Sequence, residues 1–150
     1  MHLPTLLLLT LLVNVMIGCY LAMVYLLRRH DQSFLLWSVA CFVFVAGGCA
    51  AGARYYIDQP LITYLLADIL LLLSPALVVT GLVLFLRGQL SARSKQQVAL
   101  LLTLYLLPLS MLYQVNNAST ALTSFSIAVI FIYAIVLLKK ARLIPVFPIY

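Results

Sequence analysis

The chain has 150 residues, of which 66% are hydrophobic and 8% are charged, and its mean hydropathy is +1.19. These values lie outside the range of soluble globular domains and predict a chain that resides in a lipid bilayer. A formal net charge of +6 would suit a nucleic-acid partner in a soluble protein. Here the basic residues follow long apolar runs in short clusters, so we expect no nucleic-acid binding.

Five stretches are long and apolar enough to cross a bilayer as helices, since a span needs roughly 20 apolar residues. Short breaks separate them, so we expect consecutive helices to be antiparallel neighbours in a single all-α transmembrane domain. The predicted helices are 4–27, 33–53, 61–86, 97–115 and 120–138. Residues 143–150 are apolar but too short to cross, and we interpret them as an interfacial tail or a truncated sixth helix.

The positions of the charges predict an orientation. Three basic clusters alternate along the chain with two breaks of almost no net charge, 54–60 and 113–119. Because Lys and Arg in short loops are retained on the cytoplasmic side, the clusters predict cytoplasmic ends and an amino terminus outside. The clusters are Arg28-Arg29, Arg87 with Arg93 and Lys95, and Lys139-Lys140 with Arg142.

The second predicted helix contains a run of small residues in which Gly48 and Gly52 form a GxxxG pair. Small side chains let another helix approach closely, and in lipid this packing drives helix association. Asn14, Gly18 and Ala22 form a weaker stripe on the first helix. Two interpretations stay open for these faces: packing within one chain, which we favour, and contact with a second copy.

Asp68 is the one acidic residue inside an apolar stretch, on the order of 10 Å from the outer end of its helix at helical rise. A charge there costs roughly 2.5–3.5 kcal/mol on insertion scales, so it needs a partner, neutralisation or water. In a structural interpretation Asp68 only joins helices together. In a functional interpretation it lines an outward-facing pocket for a small signal molecule. The pocket residues would be Asn14, Arg54, Tyr56, Tyr64, Asp68, Tyr113, Gln114 and Asn117.

We expect no metal site, cofactor or catalytic chemistry. Cys19, Cys41 and Cys49 lie inside predicted helices without the spacing of a metal or redox motif. His2 and His30 lie at opposite ends of the first helix. With three acids and no Glu, candidates for acid–base catalysis are few, and the chain is not expected to be an enzyme.

Other features predict helix bending and interfacial contacts. Ser74-Pro75 and Pro108 are expected to bend the third and fourth predicted helices. Trp37 is interpreted as part of an aromatic belt at a membrane interface. Thr120, Thr123, Ser124 and Ser126 make the outer half of the fifth helix polar, which we interpret as a surface for helix contacts.

Several stretches follow a known layout: Met1-His2-Leu3-Pro4-Thr5, Arg28-Arg29-His30, Leu35-Leu36-Trp37-Ser38-Val39-Ala40, Ile62-Thr63-Tyr64-Leu65-Leu66-Ala67-Asp68-Ile69-Leu70 and Phe85-Leu86-Arg87-Gly88. In this layout the chain resembles the amino-terminal membrane region of bacterial diguanylate cyclases of the GGDEF type, whose helices precede a cytoplasmic catalytic domain. The resemblance implies a bundle in the bacterial inner membrane that senses an external or lipid-borne signal and passes helix movement inward through 139–142. The chain departs from that family in lacking a Gly-Gly-Asp/Glu-Glu-Phe motif, so we expect either a fragment or a standalone membrane protein. The family more often has Asn where Asp68 stands, which puts a shared ligand in doubt.

We therefore favour a membrane-embedded sensory or regulatory module that binds a small signal or a partner in its outer half and alters a cytoplasmic effector. One alternative is an accessory subunit that docks onto a partner membrane subunit of a larger complex. A second alternative is a small transporter or channel, although confinement of the polar groups to the outer half counts against a continuous path. Membrane lipid is the expected surrounding in every case.

Overall fold

Every regular element in the described part of the chain is a helix, as the composition predicts. The computed structural model describes residues 3–28, 31–53, 56, 61–88 and 116–142. Helices dominate because lipid offers no partner for backbone N–H and C=O groups, which a helix satisfies internally. The α-helices are α1 (Leu3–Leu27), α2 (Gln32–Gly52), α3 (Ala67–Arg87) and α4 (Asn116–Arg142), and a π-helix (Leu61–Leu66) runs directly into α3.

Four helices are long and apolar enough to cross a membrane, which is compatible with an integral membrane protein. The qualifying stretches are Thr5–Leu27, Gln32–Gly52, Thr63–Leu86 and Ala121–Lys139. They coincide with the first, second, third and fifth predicted spans, so the helices at these four places are confirmed. The predicted span 97–115 and the predicted tail 143–150 lie outside the described residues. The count of five helices therefore stays a prediction, as does the orientation in the membrane.

Helix α4 extends beyond the predicted span at both ends. It begins at Asn116, inside the predicted break 113–119, and it continues to Arg142 through the last basic cluster. Hydropathy predicts only the part of a helix that lies in the apolar layer, whereas the backbone hydrogen bonds of the helix can continue into the polar residues on either side. The cluster at 139–142 is therefore helical, and any movement of α4 reaches these basic residues directly.

Helices α1 and α2 pack as an antiparallel pair. The hydroxyl Oγ of Ser38 donates a buried hydrogen bond of 2.8 Å to the backbone oxygen of Gly18. Further along the pair, Gly48 of α2 faces the side chain of Leu11 of α1. Residue numbers thus fall along α1 as they rise along α2, so the helices are antiparallel. A short connection through Asp31 joins them, and the backbone N–H of Asp31 donates to the oxygen of Arg28 at 3.1 Å.

Helices α2 and α3 also pack antiparallel, so α2 lies between α1 and α3. Near the end of α2, Gly47 lies against Leu70 and Leu71 near the start of α3. Near the start of α2, Trp37 lies against Gly81 near the end of α3. A methyl group on Gly47 would come within 3.1 Å of the backbone nitrogen of Leu71, which is tighter than ordinary contact. Glycine at this position therefore sets the distance between the two helices.

The bundle of α1, α2 and α3 has two distinct ends. The Asp68 end contains the start of α1, the end of α2 and the start of α3, and the Trp37 end contains their opposite termini. Gly88 terminates α3 at the Trp37 end with a positive φ of 67° and an N–H that donates to the oxygen of Leu84 at 2.8 Å. This left-handed cap is favourable for glycine because it has no Cβ.

Helix α4 packs against α3 through aliphatic side chains. The centre of the contact is Leu72, which is buried. Around it lie Leu65, Ile69, Leu122, Ile127 and Ile130. Many large apolar side chains on the outer faces of α1 and α4 are exposed, including Leu8 at 67% and Ile132 at 61%. Such faces would be unfavourable in water and are what a lipid-facing helix requires.

Candidate functional site

Asp68 is buried where three helices meet. It lies in the first turn of α3, and only 3% of its surface is exposed. Residues three and four positions apart on a helix share a face. Three positions on, Leu71 contacts Gly47 of α2, and four positions on, Leu72 packs against α4. The carboxylate is therefore directed to the junction of α2, α3 and α4.

The π-helix before α3 turns a hydroxyl towards the same junction. Thr63 belongs to this π-helix and is 1% exposed, the most completely enclosed of the larger side chains described. In an α-helix, Thr63 and Asp68 would face roughly 140° apart, since five residues exceed one turn of 3.6. In a π-helix the i→i+5 bonding widens the turn, which brings these two positions closer to one face. The π-helical backbone thus explains how both Thr63 and Asp68 can be buried.

Helix α4 contributes a third buried polar residue, Thr123, which is 5% exposed. Thr123 stands four positions before Ile127, which lies in the aliphatic cluster around Leu72. It therefore shares with Ile127 the face that is turned to α3. We call Thr63, Asp68 and Thr123 the buried polar set. A carboxylate and two hydroxyls can accept hydrogen bonds from a ligand or hold a cation through oxygen.

The buried polar set is already engaged in specific interactions. Thr63, Asp68 and Thr123 each make at least one hydrogen bond, ion pair or other specific contact, as do Tyr64 and Ser124. The Oδ2 atom of Asp68 is buried and accepts no hydrogen bond from the described residues. Each residue of the buried polar set therefore has at least one partner at a depth where isolated polar groups are costly.

Asn14, a predicted pocket residue, is turned to its own helix. Its amide Nδ2 donates to the backbone oxygen of Thr10 at 2.9 Å. The contacts of Leu11 with Gly48, and of Gly47 with Leu70, place Asn14 about one helical turn beyond the level of Asp68. The structure does not bring these two side chains together. The prediction that Asn14 lies at a depth not far from that of Asp68 takes each helix separately, whereas the stagger between helices is set by their packing.

The other predicted pocket residues are placed as follows. Tyr64 is half-buried in the π-helix, next to Thr63. Tyr56 lies in a turn after α2, is 91% exposed, and donates its backbone N–H to the oxygen of Ala53 at 2.9 Å. Asn117 lies in the first turn of α4, where the backbone is described. Arg54, Tyr113 and Gln114 lie outside the described residues.

The predicted packing glycines differ in their surroundings. A Cβ on Gly18 would lie 3.2 Å from the Cβ of Cys41, and one on Gly48 would lie 2.6 Å from a methyl of Leu11. Gly52 has no neighbour within 4 Å among the described residues. Gly18 and Gly48 thus pack between helices of this chain, whereas the GxxxG pair does not act as one unit in these contacts.

Sequence reasoning missed the role of Thr63 and of two further glycines. No sequence pattern indicated that Thr63 is buried, because a π-helix arises from backbone hydrogen bonding and has no short sequence motif. Gly47 and Gly81 face neighbouring helices, yet neither belongs to the GxxxG pair. Glycine inside a helix that could hold Ala is the available signal, since it costs about 1 kcal/mol relative to Ala and usually has a packing reason.

Helix α3 continues through Pro75 as an α-helix. Proline has no N–H, so the carbonyl of Leu71 loses its usual partner four residues on. Ser74 and Pro75 are both buried, so the predicted interruption is accommodated inside the bundle. Pro108 lies outside the described residues.

Comparisons of the chain with protein-family models, with curated proteins and with solved structures found no match. The geometry of the buried polar set is therefore the basis on which a function is proposed.

Proposed function

We propose that this chain is a membrane-embedded sensory module that binds a small signal at the Asp68 end and transmits helix movement to a cytoplasmic effector. The proposal includes five spans, an amino terminus outside and location in a bacterial inner membrane. The alternation of basic clusters with uncharged breaks supports this orientation. The resemblance to the membrane regions of diguanylate cyclases suggests the kind of effector, a cytoplasmic catalytic domain.

The observation that favours this proposal most is the burial of Asp68 directly after a π-helix. An acidic residue inside a span is costly and usually marks a functional site. π-helical turns within helices are also found frequently at functional sites. Both features occur here within one helical turn, and Thr63 and Thr123 add buried hydroxyls. A binding role accounts for this combination better than a purely structural one.

A difference in packing suggests how a signal would travel. Close glycine contacts hold α1, α2 and α3 together, and among the described residues Ser38 and Trp37 donate hydrogen bonds from α2 to α1 and α3. Helix α4 contains no glycine and packs on α3 through branched aliphatic side chains. Aliphatic side chains tolerate small sliding movements better than a close backbone approach. We therefore assign the moving part to α4, which continues to Arg142.

The test is native mass spectrometry of the full chain in lipid nanodiscs, comparing the wild type with Asp68→Asn. The expected result is a small molecule, lipid or ion retained by the wild type and lost from the variant. Asp31→Asn is the matched control, because Asp31 is an exposed carboxylate between α1 and α2. This control should retain whatever the wild type retains.

Two results would contradict the proposal. Retention that is equal in the wild type and in Asp68→Asn would mean that the buried carboxylate does not bind the signal. Co-purification of a stoichiometric membrane protein, unaffected by Asp68→Asn and without a small ligand, would favour the accessory-subunit alternative instead.

A further inference from the structure

Asn14 of α1 is a polar residue that takes no part in the buried polar set. It lies near the middle of Thr5–Leu27, the part of α1 that is apolar enough to cross a membrane. Its amide nitrogen Nδ2 donates to the backbone oxygen of Thr10 in the same helix, and the amide makes no other hydrogen bond with the described residues. The second N–H and the oxygen Oδ1 of this amide can therefore bond to another molecule.

Lipid around α1 would leave the Asn14 amide only partly satisfied. Acyl chains neither donate nor accept hydrogen bonds, so a polar group exposed to them loses the partners that it has in water. In membrane helices, Asn side chains bond across to other helices and promote their association. We propose that a second copy of this chain docks on α1 and that the two Asn14 amides bond to each other. This inference goes beyond the proposed function, because it concerns a different surface and does not depend on Asp68.

The surface that would meet the second copy flanks the surface that meets α2. Leu11 and Gly18 contact α2. Thr10 and Ile17 each precede one of these residues and so lie about 100° round the helix from it. Asn14 is four positions after Thr10 and three before Ile17, so these three residues share a face, which we call the Asn14 face. Thr10 is exposed, Asn14 is partly exposed and Ile17 is 46% exposed, so the described helices leave much of this face open.

The spacing along the Asn14 face is that of a helix pair. Leu7, Thr10, Asn14, Ile17 and Leu21 follow one another at alternating intervals of three and four residues. This is the seam spacing of left-handed helix pairs, whose crossing angle is also the commonest among membrane helices. An Asn at one seam position can specify the register and the number of helices, because its amide needs a partner at the same level. Asn14 has such a position, and the apolar side chains on either side supply the packing around it.

Two-fold symmetry makes a second copy the fitting occupant of the Asn14 face. Copies inserted in the same direction are related by an axis along the membrane normal, so residues near that axis meet their own counterparts. The Asn14 amide carries both a donor and an acceptor, so two copies can exchange two hydrogen bonds. The bond that Nδ2 donates to Thr10 uses one N–H and leaves the other for this exchange. Lipid provides no such match.

The test is Förster energy transfer between donor-labelled and acceptor-labelled copies of the full chain in liposomes, over a series of protein-to-lipid ratios. The wild type should show the concentration dependence of a dimer. Asn14→Leu removes both hydrogen bonds between the copies, keeps the helix apolar, and should raise the dissociation constant of the dimer about tenfold. Asn14→Gln keeps the amide and should restore most of the association.

Thr80→Val is the matched control, because it also replaces a polar side chain inside a span. The Thr80 hydroxyl donates to the oxygen of Ala76 within α3 at 2.7 Å, so its loss should leave the dimer unchanged. A wild type without energy transfer at any protein-to-lipid ratio would overturn the proposal, as would equal dissociation constants for the wild type and Asn14→Leu. A monomeric wild type whose unfolding midpoint falls in Asn14→Leu would overturn it in favour of a partner for Asn14 within the same chain.

Cysteine cross-linking tests which face of α1 meets the second copy. With the native cysteines replaced by Ala, Thr10→Cys should form a disulfide between two copies when the liposomes are oxidised. Leu12→Cys is the control, because Leu12 is 55% exposed but lies about 160° round the helix from Thr10. Linkage through position 12 and not through position 10 would contradict the proposal. This pair of variants keeps the test informative even if Asn14→Leu fails to fold.

Discussion

The indole Nε1 of Trp37 donates a 3.0 Å hydrogen bond to the backbone oxygen of Val78, which lies 41 residues further along the chain. Gly81 makes this contact feasible, because a Cβ there would come within 2.5 Å of the same indole nitrogen. The ring also lies near Phe34 and Phe85, with centroids 5.6 and 5.9 Å away. Trp37 therefore joins α2 to α3 at the end opposite Asp68, and we call this contact the Trp37 contact. Its role is more specific than that of an interfacial aromatic residue.

Replacing Trp37 with Phe should weaken the Trp37 contact between α2 and α3. The variant keeps an aromatic ring but loses the donor to Val78, and hydrogen bonds between membrane helices contribute about 0.6 kcal/mol on average. We expect a lower midpoint in mild-denaturant unfolding of the chain in detergent micelles. Phe125→Leu is the control, since Phe125 is a 70% exposed aromatic on α4 and its replacement should leave the midpoint near the wild-type value. An equal decrease of the unfolding midpoint in both variants would argue against a stabilising role of the Trp37 contact.

Two glycines of α2 should differ in how much replacement by Ala changes the stability of the bundle. Gly47→Ala introduces a Cβ within 3.1 Å of the backbone nitrogen of Leu71, which cannot move independently of α3. Overpacking of this kind typically costs about 1–3 kcal/mol. Gly52→Ala meets nothing within 4 Å among the described residues and should leave stability unchanged or slightly raised. Unfolding midpoints of the two variants would show the contrast, and a stable Gly47→Ala would contradict the α2–α3 packing.

The register of α1 and α2 predicts a disulfide in Gly18→Cys. A Cβ at position 18 lies 3.2 Å from the Cβ of Cys41, close to the separation of about 3.8 Å in disulfides. With Cys19 and Cys49 replaced by Ala, oxidation should link positions 18 and 41. Trypsin cleavage at Arg28, which is exposed, should then leave the two fragments joined until a reductant is added.

Ile17→Cys in the same background is the control for the disulfide. Ile17 is 46% exposed on the outer face of α1, so its thiol should not reach Cys41. Fragments of this variant should separate after trypsin without reductant. Linkage through position 17 rather than 18 would place α1 in a different rotation about its axis.

The orientation of the bundle can be tested with two exposed positions. Tyr56 follows α2 at the Asp68 end, and Arg28 follows α1 at the Trp37 end. With the native cysteines replaced by Ala, Tyr56→Cys should react with a membrane-impermeant maleimide in intact cells. Arg28→Cys should react only after the membrane is permeabilised. The reverse pattern would invert the proposed topology and place the Asp68 end inside.

The sequence alone determined the approximate positions of the helices in the described part of the chain, and that they suit a bilayer. The predicted spans 4–27 and 33–53 differ from α1 and α2 by one residue at each displaced end, because long apolar runs bounded by charges leave little freedom in lipid. It also singled out Asp68, since a carboxylate inside an apolar run is conspicuous at any rotation of the helix.

Only the tertiary structure decided which residues meet. The pairing of Trp37 with Val78, the direction in which Gly47 faces and the placement of Asn14 one turn from Asp68 depend on helix rotation and stagger. The π-helix that contains Thr63 and runs into α3 just before Asp68 is likewise invisible to hydropathy. The physical reason is that apolar runs are hydrophobic on every face, so they specify a membrane span, whereas close packing between small and large side chains selects one arrangement of the spans.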